Sequence, residues 1–166
     1  MELSCAWRIS LARSGEAAQP VSQDQTAMAE TFGEVEANGT VIEIRMYTEA
    51  PDGSGALHVF TPRLVMARVG DTINFLPTEP THLSASIPGM LPDGVEGWEG
   101  VLNEPVNYVI PKEGVYGYKC SPHYGAGMVG LIVVDGGGEN AEVAKAQRHP
   151  GRANREFADI FAEAGL

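Results

Sequence analysis

The stretch VYGYKCSPHYGAGMVGLIVV, residues 115–134, is the part of this chain that is most informative about its fold. Its two ends, Val115–Cys120 and Met128–Val134, are rich in β-branched and aromatic residues, which favour strands. The second run is apolar almost throughout, as expected of a strand that is central to the core. A short loop containing proline and glycines lies between them. The stretch therefore predicts two core strands of a β protein joined by a tight loop.

Further strand patterns lie upstream at the spacing of a β-sandwich. Short runs rich in Val, Ile, Tyr and Phe are separated by clusters of Gly, Pro and Asp, which are typical of turns. From Ile42 to Tyr47 apolar and polar side chains alternate, which is the period of a half-buried strand. We predict seven or eight strands, with a short one near residue 84 and the others at 40–48, 56–60, 63–68, 71–76, 106–110, 115–120 and 128–134.

The end of the chain changes to helical patterns. Residues 140–148 contain strong helix formers, and Pro150 breaks that segment. Residues 154–164 carry apolar side chains at the spacing i, i+3, i+4 and i+7, which places them on one face of a helix. The expected fold is an all-β sandwich with two short C-terminal α-helices over residues 139–166.

The first 29 residues do not continue the strand pattern. They contain a short semi-apolar patch and a polar stretch, and Ala27-Met28-Ala29 is similar to a signal-peptidase site. The segment before that site is too polar for the apolar region of a secretory signal. A mis-set start codon, an atypical leader and a disordered tail are all compatible with it. We favour a leader or a disordered N-terminal segment at residues 1–29, followed by one domain at residues 30–166.

The composition argues against several classes of function. The chain has 166 residues, 43% of them hydrophobic, which is enough for one ordinary core. Its formal net charge of −11 argues against nucleic acid as a partner, because phosphate backbones are bound through positive surfaces. No apolar run reaches the length of about 18 residues that membrane insertion requires. A basic or mixed-charge protein partner fits the acidic balance better.

Three donor side chains lie close together in the loop between the two core strands. Cys120, His123 and Met128 offer a thiolate, an imidazole and a thioether within nine residues. Soft sulfur ligands with imidazole suit copper, and a plane of one cysteine and two histidines with a weak axial methionine is the blue-copper arrangement. The pattern therefore predicts a copper site that takes its second histidine from elsewhere in the chain.

Only four histidines are present, so the search for that ligand is short. His149 lies between the two predicted helices, away from the end of a sandwich. His58 lies in the middle of a strand, where a packed or surface histidine is expected. His82 follows the strand at 71–76 in a proline-rich segment that could reach the ligand loop. We predict that one copper ion is held by His82, Cys120, His123 and Met128, and we predict no catalytic residues.

Other roles for these residues remain open from the sequence. Zinc prefers closed cysteine and histidine sites and avoids thioethers, so Met128 argues against it. A cysteine nucleophile paired with His123 is the enzyme alternative, but no third orienting group accompanies the pair. A disulfide between Cys5 and Cys120 would suit a secreted protein, although the surroundings of Cys120 argue against it. A copper-trafficking module without an electron-transfer role is the alternative to a carrier.

The chain resembles the pseudoazurins, which are single-domain periplasmic cupredoxins, from about residue 56 to residue 166. The ligand loop alone is also similar to that of plastocyanin, and the two helical segments after Val134 favour pseudoazurin. The motifs that carry the resemblance are Val65–Phe75, Pro77-Thr78 before His82, Met90–Gly94, Gly114–Tyr124 and Gly127–Val134.

This resemblance implies a Greek-key cupredoxin sandwich of eight strands with one type 1 copper, and the four ligand positions of the family fall on the residues predicted above. It also implies a periplasmic carrier of single electrons, and not an enzyme. The implied partners are a redox donor and acceptor, such as a denitrification reductase or an amine dehydrogenase, and a monomer is expected. The docking patch around His123 is expected to include Pro122, Ile87, Pro88 and Met90.

Two departures from the family pattern stand out. Leu83 follows the first histidine, where relatives usually place an asparagine that ties the two ligand loops together. Relatives also tend to surround the docking patch with lysines. Here the first ligand loop carries carboxylates instead, at Glu79, Asp93, Glu96 and Glu99. We therefore expect a partner that differs in charge from the usual one.

Overall fold

The computed structural model describes residues 37–166, so the predicted leader or disordered segment, with Cys5, lies outside the described residues. Eight strands occur within the described part. They are β1 (Val41–Glu49), β2 (Leu57–Thr61), β3 (Leu64–Ala67), β4 (Thr72–Pro77), β5 (Ala85–Ser86), β6 (Val106–Val109), β7 (Gly114–Lys119) and β8 (Val129–Val134). All the predicted strands are present, and the short one expected near residue 84 is β5.

The strands form two four-stranded sheets, in the orders β2-β1-β4-β6 and β3-β8-β7-β5. β1 pairs in parallel with β4, and β3 with β8, whereas the other neighbours are antiparallel. Several neighbours are distant in sequence, so connections cross between the sheets, as they do in Greek-key sandwiches. The predicted all-β sandwich is confirmed.

β8 joins the two halves of the hydrophobic core. All six of its residues are buried. Ile132 and Val134 belong to the cluster between the sheets, whereas Leu131 and Val133 belong to the cluster under the C-terminal helices. A strand covered on both faces needs apolar side chains at consecutive positions. That requirement explains why residues 128–134 show no alternation.

Two helices follow β8, namely α1 (Ala141–Lys145) and α2 (Ala153–Glu163). The apolar face predicted for the second helix is confirmed, because α2 buries Phe157, Ile160 and Phe161. α1 is shorter than the predicted segment at 140–148. The chain tightens after it, where the N–H of Gln147 donates to the carbonyl of Ala144 at 3.2 Å. Neither helix of the described part is long and apolar enough to cross a membrane.

Candidate metal centre

Cys120, His123 and Met128 lie on the loop between β7 and β8, and hydrogen bonds within the loop hold its shape. The N–H of Cys120 donates to the carbonyl of Met128 at 3.0 Å, and the N–H of Met128 donates to the carbonyl of His123 at 3.2 Å. Ser121–His123 form a turn of 3₁₀ helix with Pro122 as its second residue, where the missing N–H of proline costs no hydrogen bond. Gly127 has a φ of 97°, which glycine adopts without strain. These features bring the two ends of the loop, Cys120 and Met128, together.

The sulfur of Cys120 lies between two histidine nitrogens. Its Sγ is 3.8 Å from Nδ1 of His82 and 3.5 Å from Nδ1 of His123. A first-row metal about 2.0–2.1 Å from nitrogen and about 2.3 Å from sulfur separates such ligand atoms by roughly 3.6–3.8 Å. The two sulfur–nitrogen distances are therefore compatible with one shared ion. Met128 is fully buried, and its main chain is bonded to Cys120 and His123.

His82 lies in the connection between β4 and β5, and both its side chain and its main chain are held by hydrogen bonds. Its Nε2 lies 3.1 Å from Oγ1 of Thr48 on β1, and its carbonyl accepts from the N–H of Asn103 at 2.8 Å. The N–H of Thr81 donates to Oδ1 of Asn103 at 2.6 Å. Because Thr48 engages Nε2, Nδ1 is the nitrogen that faces Cys120. Sequence reasoning missed Thr48, since strand pairing alone brings it to this end of the sandwich.

The main chain at Leu83 contacts the cysteine sulfur. Burial raises the pKa of the Cys120 thiol, and hydrogen bonds from the main chain of Leu83 and His123 oppose that rise. These bonds require no particular side chain at position 83. The main chain of Leu83 therefore links the two ligand loops without the asparagine expected at this position. Since burial raises the pKa, a bound metal would supply the charge that keeps the sulfur deprotonated.

Both histidines beside the sulfur are favoured in the neutral form that a metal requires. Burial lowers the pKa of His82, and the neighbouring His123 and His58 lower it further, against a smaller opposite effect of Glu79. Burial also lowers the pKa of His123, with His58 as the second cause. A neutral imidazole has a free nitrogen lone pair, which is the group that binds a metal.

His58 is a third histidine at this site, and sequence reasoning did not place it here. Its ring centroid is 3.9 Å from that of His123, and nitrogen atoms of His58, His82 and His123 all lie within 4.8 Å of one another. The expectation of an ordinary packed or surface histidine in mid-strand is therefore incomplete. The sequence did contain one signal of its inward position. Side chains two residues apart on a strand share a face, and Phe60, two residues after His58 on β2, is buried.

Comparison with known proteins assigns the family. Residues 45–135 match the copper binding proteins of the plastocyanin/azurin family. This chain belongs to that family. A pseudoazurin of Paracoccus pantotrophus is 44% identical over 104 residues, which cover 63% of this chain and 71% of that protein.

Two solved pseudoazurin structures share the fold of this cupredoxin. The structure from Methylobacterium extorquens AM1 has a TM-score of 0.68 and 38% identity, and the match covers 74% of this chain and 98% of that one. The structure from Hyphomicrobium denitrificans has a TM-score of 0.70 and 31% identity, with 75% and 98% covered. The predicted pseudoazurin resemblance, cupredoxin fold and copper cofactor are confirmed. Family and fold together make the chain a blue copper electron carrier.

The apolar patch expected around His123 is smaller than predicted. Pro122 and Pro88 are exposed, but Ile87 and Met90 are only 6% and 0% exposed. Met90 is buried because Gly117 on β7 leaves room for it, so close that a β-carbon at Gly117 would lie 2.6 Å from its Sδ. Ile87 and Met90 therefore belong to the core of this cupredoxin and not to its docking surface.

His149 lies apart from the metal centre and links the ligand loop to the helices. Its Nδ1 is 2.7 Å from the hydroxyl oxygen of Tyr124, the residue after His123. Its ring packs on that of Phe157 in α2, with centroids 4.3 Å apart. The prediction that His149 lies between the helices and away from the ligand group agrees with this position.

Proposed function

We propose that His82, Cys120, His123 and Met128 hold one copper ion and that the protein passes single electrons as the ion cycles between Cu(I) and Cu(II). The observation that carries this proposal is the position of the Cys120 sulfur, 3.5 Å and 3.8 Å from the Nδ1 atoms of two histidines. A thiolate with two imidazoles in a plane and a weak axial thioether supports reversible one-electron chemistry of copper.

Each of the four residues has a distinct part. The Cys120 thiolate would form the most covalent bond to copper and would provide the electronic path out of the ion. His82 and His123 would bind the ion as neutral imidazoles, and the weaker thioether ligand Met128 would help to set the reduction potential. His82 is fully buried, whereas His123 is half-buried at the surface of the sandwich end. Electrons therefore enter and leave at the His123 side.

Four protein ligands leave no open position for a substrate, which supports a carrier and not an enzyme. The partners would be a redox protein donor and acceptor, with a denitrification reductase or an amine dehydrogenase as the classes to test. We place this monomeric carrier in the periplasm, with a leader or disordered segment at residues 1–29 before the domain at 30–166. Residues 69–111 contain six acidic residues and no Lys or Arg, which supports a basic docking surface on the partner.

The test is an absorption spectrum of the purified metal-free protein titrated with Cu(II), beside Cys120→Ser. We expect an intense visible thiolate-to-copper band at one ion per chain, which mild reductant bleaches and which Cys120→Ser lacks. A folded wild-type protein that shows no such band would contradict the ligand assignment. Tight Cu(I) binding without a reversible redox wave would instead indicate copper trafficking.

A further inference from the structure

His58 makes a contact with His123 that the four proposed ligands do not require. The two ring centroids are 3.9 Å apart and the ring planes differ by 8°, so the imidazoles are stacked face to face. The His82 ring, in contrast, is tilted by 56° to that of His123, with centroids 5.0 Å apart. His58 therefore covers one face of the His123 ring while the Nδ1 edge of His123 faces the sulfur.

The parallel stack distinguishes between two roles for His58, namely a metal ligand and a residue that orients the ligand His123. Because nitrogen atoms of three histidines lie within 4.8 Å of one another, distance alone would allow a three-histidine metal site. A metal on an imidazole nitrogen lies in the plane of the ring, along the lone pair. The lone pairs of two parallel rings do not converge, so an ion in the plane of His123 lies well outside the plane of His58. His58 therefore acts on His123 and not on the ion.

The backbone of β2 sets the position of the His58 ring. Its φ is 55°, in the left-handed region that residues with a β-carbon seldom occupy. The register of β1 with β2 on either side of this point places His58 opposite Thr48. Thr48 lies 3.1 Å from Nε2 of His82. Opposing positions of the two strands therefore support the two imidazoles of the site, one by a hydrogen bond and the other by a stack.

Hydrogen bonds do not explain the position of the His58 ring. Its Nδ1 is buried and has no hydrogen-bonding partner among residues 37–166. An unpaired buried nitrogen opposes folding. The left-handed backbone, the stack on His123 and an edge-on contact with the His82 ring, with centroids 6.0 Å apart, therefore set the position of the ring.

We infer that His58 is a positioning residue of the copper centre: its stacked ring holds the His123 imidazole in its metal-binding orientation and favours the oxidised site over the reduced one. The metal-bound imidazole is poorer in electrons beside Cu(II) than beside Cu(I). An electron-rich ring face interacts more strongly with an electron-poor ring. Loss of the stack is therefore expected to raise the reduction potential. The inference rests on the proposed role of His123 as a ligand.

Two substitutions separate the ring face from the other properties of His58. His58→Asn removes the ring and keeps a residue that tolerates the left-handed backbone. His58→Phe keeps a flat aromatic face and removes the ring nitrogens. We expect His58→Asn to raise the reduction potential measured by voltammetry. In the metal-free protein it should also increase motion of the His123 side chain, measured by NMR relaxation. His58→Phe should return both quantities towards wild type.

His58→Gly is a second ring-free variant, free of backbone strain, and should reproduce His58→Asn. Equal thermal midpoints of the metal-free proteins would show that the shifts do not arise from altered folding. The inference is wrong if ring-free variants keep the wild-type potential and His123 motion, or if His58→Phe behaves like His58→Asn. A wild-type protein without the thiolate-to-copper band would instead contradict the proposed function, so the two failures are distinguishable.

Discussion

Thr48 orients His82 from outside the proposed ligand set. The distance between its Oγ1 and Nε2 of His82 is 3.1 Å, and its N–H donates to the carboxylate of Glu79 at 2.5 Å. Metal-binding histidines usually form such a bond through their other nitrogen, which fixes both the tautomer and the ring orientation. The imidazole that is buried deepest at this site is therefore held before any metal binds.

Thr48→Val removes the hydroxyl and nearly preserves the volume of the side chain. Because the Nε2 of His82 then loses its partner, we expect the affinity for copper to fall by about 10–100-fold. Competition with a chelator of known affinity measures the change. Thr72→Val, at the far end of β4 from His82, is the matched control and should bind copper like wild type. Equal affinities of both variants would refute an orienting role for Thr48.

The hairpin of β7 and β8 carries the ligand loop, and its packing depends on a glycine. Tyr118 and Gly130 are directly opposed across the two strands. A β-carbon at Gly130 would overlap the ring of Tyr118 and would lie 2.6 Å from the carbonyl oxygen of Arg63. Tyr118 packs in turn edge-on against Phe60, with centroids 4.9 Å apart. The aromatic core below the metal centre therefore requires glycine at this position.

Gly130→Ala is expected to lower the free energy of unfolding by about 1–3 kcal/mol, because overpacking forces side chains and backbone to shift. Urea denaturation of the metal-free protein measures this loss. Gly125→Ala is the control, since a β-carbon at Gly125 meets no atom within 4 Å. The packing argument fails if both alanine variants unfold at the same urea concentration.

At the scale of the whole molecule, the protein is acidic, and the segment that contains the first ligand loop is acidic as well. Residues 69–111 contain no Lys or Arg, and the formal net charge of the full chain is −11. Such a field attracts cationic reagents over distances up to the Debye length, about 8–10 Å at physiological salt. Charge therefore affects the rate of encounter more than the strength of the final contact.

Small inorganic complexes of opposite charge test this field without an identified partner. We expect oxidation of the Cu(I) protein by a cationic complex to slow by about tenfold from low to high ionic strength, and oxidation by an anionic complex to accelerate. Stopped-flow absorbance measures both rates. Glu99→Gln combined with Glu104→Gln should weaken the salt dependence. Flat responses to salt with both complexes would exclude electrostatic steering.

Tyrosines that are wholly or partly buried are expected to lower the stability of the fold at high pH. Burial raises the pKa of Tyr108 from 10.0 to about 12, with the Glu96 carboxylate as a second cause. Burial also raises the pKa of Tyr116 and Tyr118. The folded protein therefore retains phenolic protons that the unfolded chain loses near pH 10. Stability is complete below that pH and falls as the pH rises towards the folded pKa.

For Tyr108 alone we expect a loss of about 1–2 kcal/mol between roughly pH 10 and pH 12, after allowance for its partial exposure. Urea denaturation at several pH values measures the slope. Tyr108→Phe removes the hydroxyl that donates to the carbonyl of Glu96 at 2.7 Å, so its stability at neutral pH should fall slightly. Its alkaline slope should be shallower than that of wild type. An unchanged slope would exclude Tyr108 as a source of the alkaline loss.

Local sequence patterns were sufficient to predict the sandwich, its C-terminal helices and the donor side chains now proposed to bind copper. These features are visible in short segments of sequence, because they depend on the alternation of apolar residues, on turn residues and on the spacing of Cys120, His123 and Met128. His82 followed because few histidines compete for the role. The length of α1 was less predictable, since helix boundaries depend on the packing that follows them.

The surroundings of the donor side chains, in contrast, depend on contacts that form when the chain folds. Thr48 and His58 reach the site because β1 pairs with β2 and β4. The period of two shows that His58 shares a strand face with Phe60, but no residue near Thr48 or His58 in sequence indicates contact with the proposed ligands. Met90 is buried because Gly117 on β7 leaves room for it, which no local pattern near Met90 reveals. Ligand identity depends on residue type, which the sequence states directly. Ligand orientation depends on contacts between elements distant in the chain, and these exist only once the chain has folded.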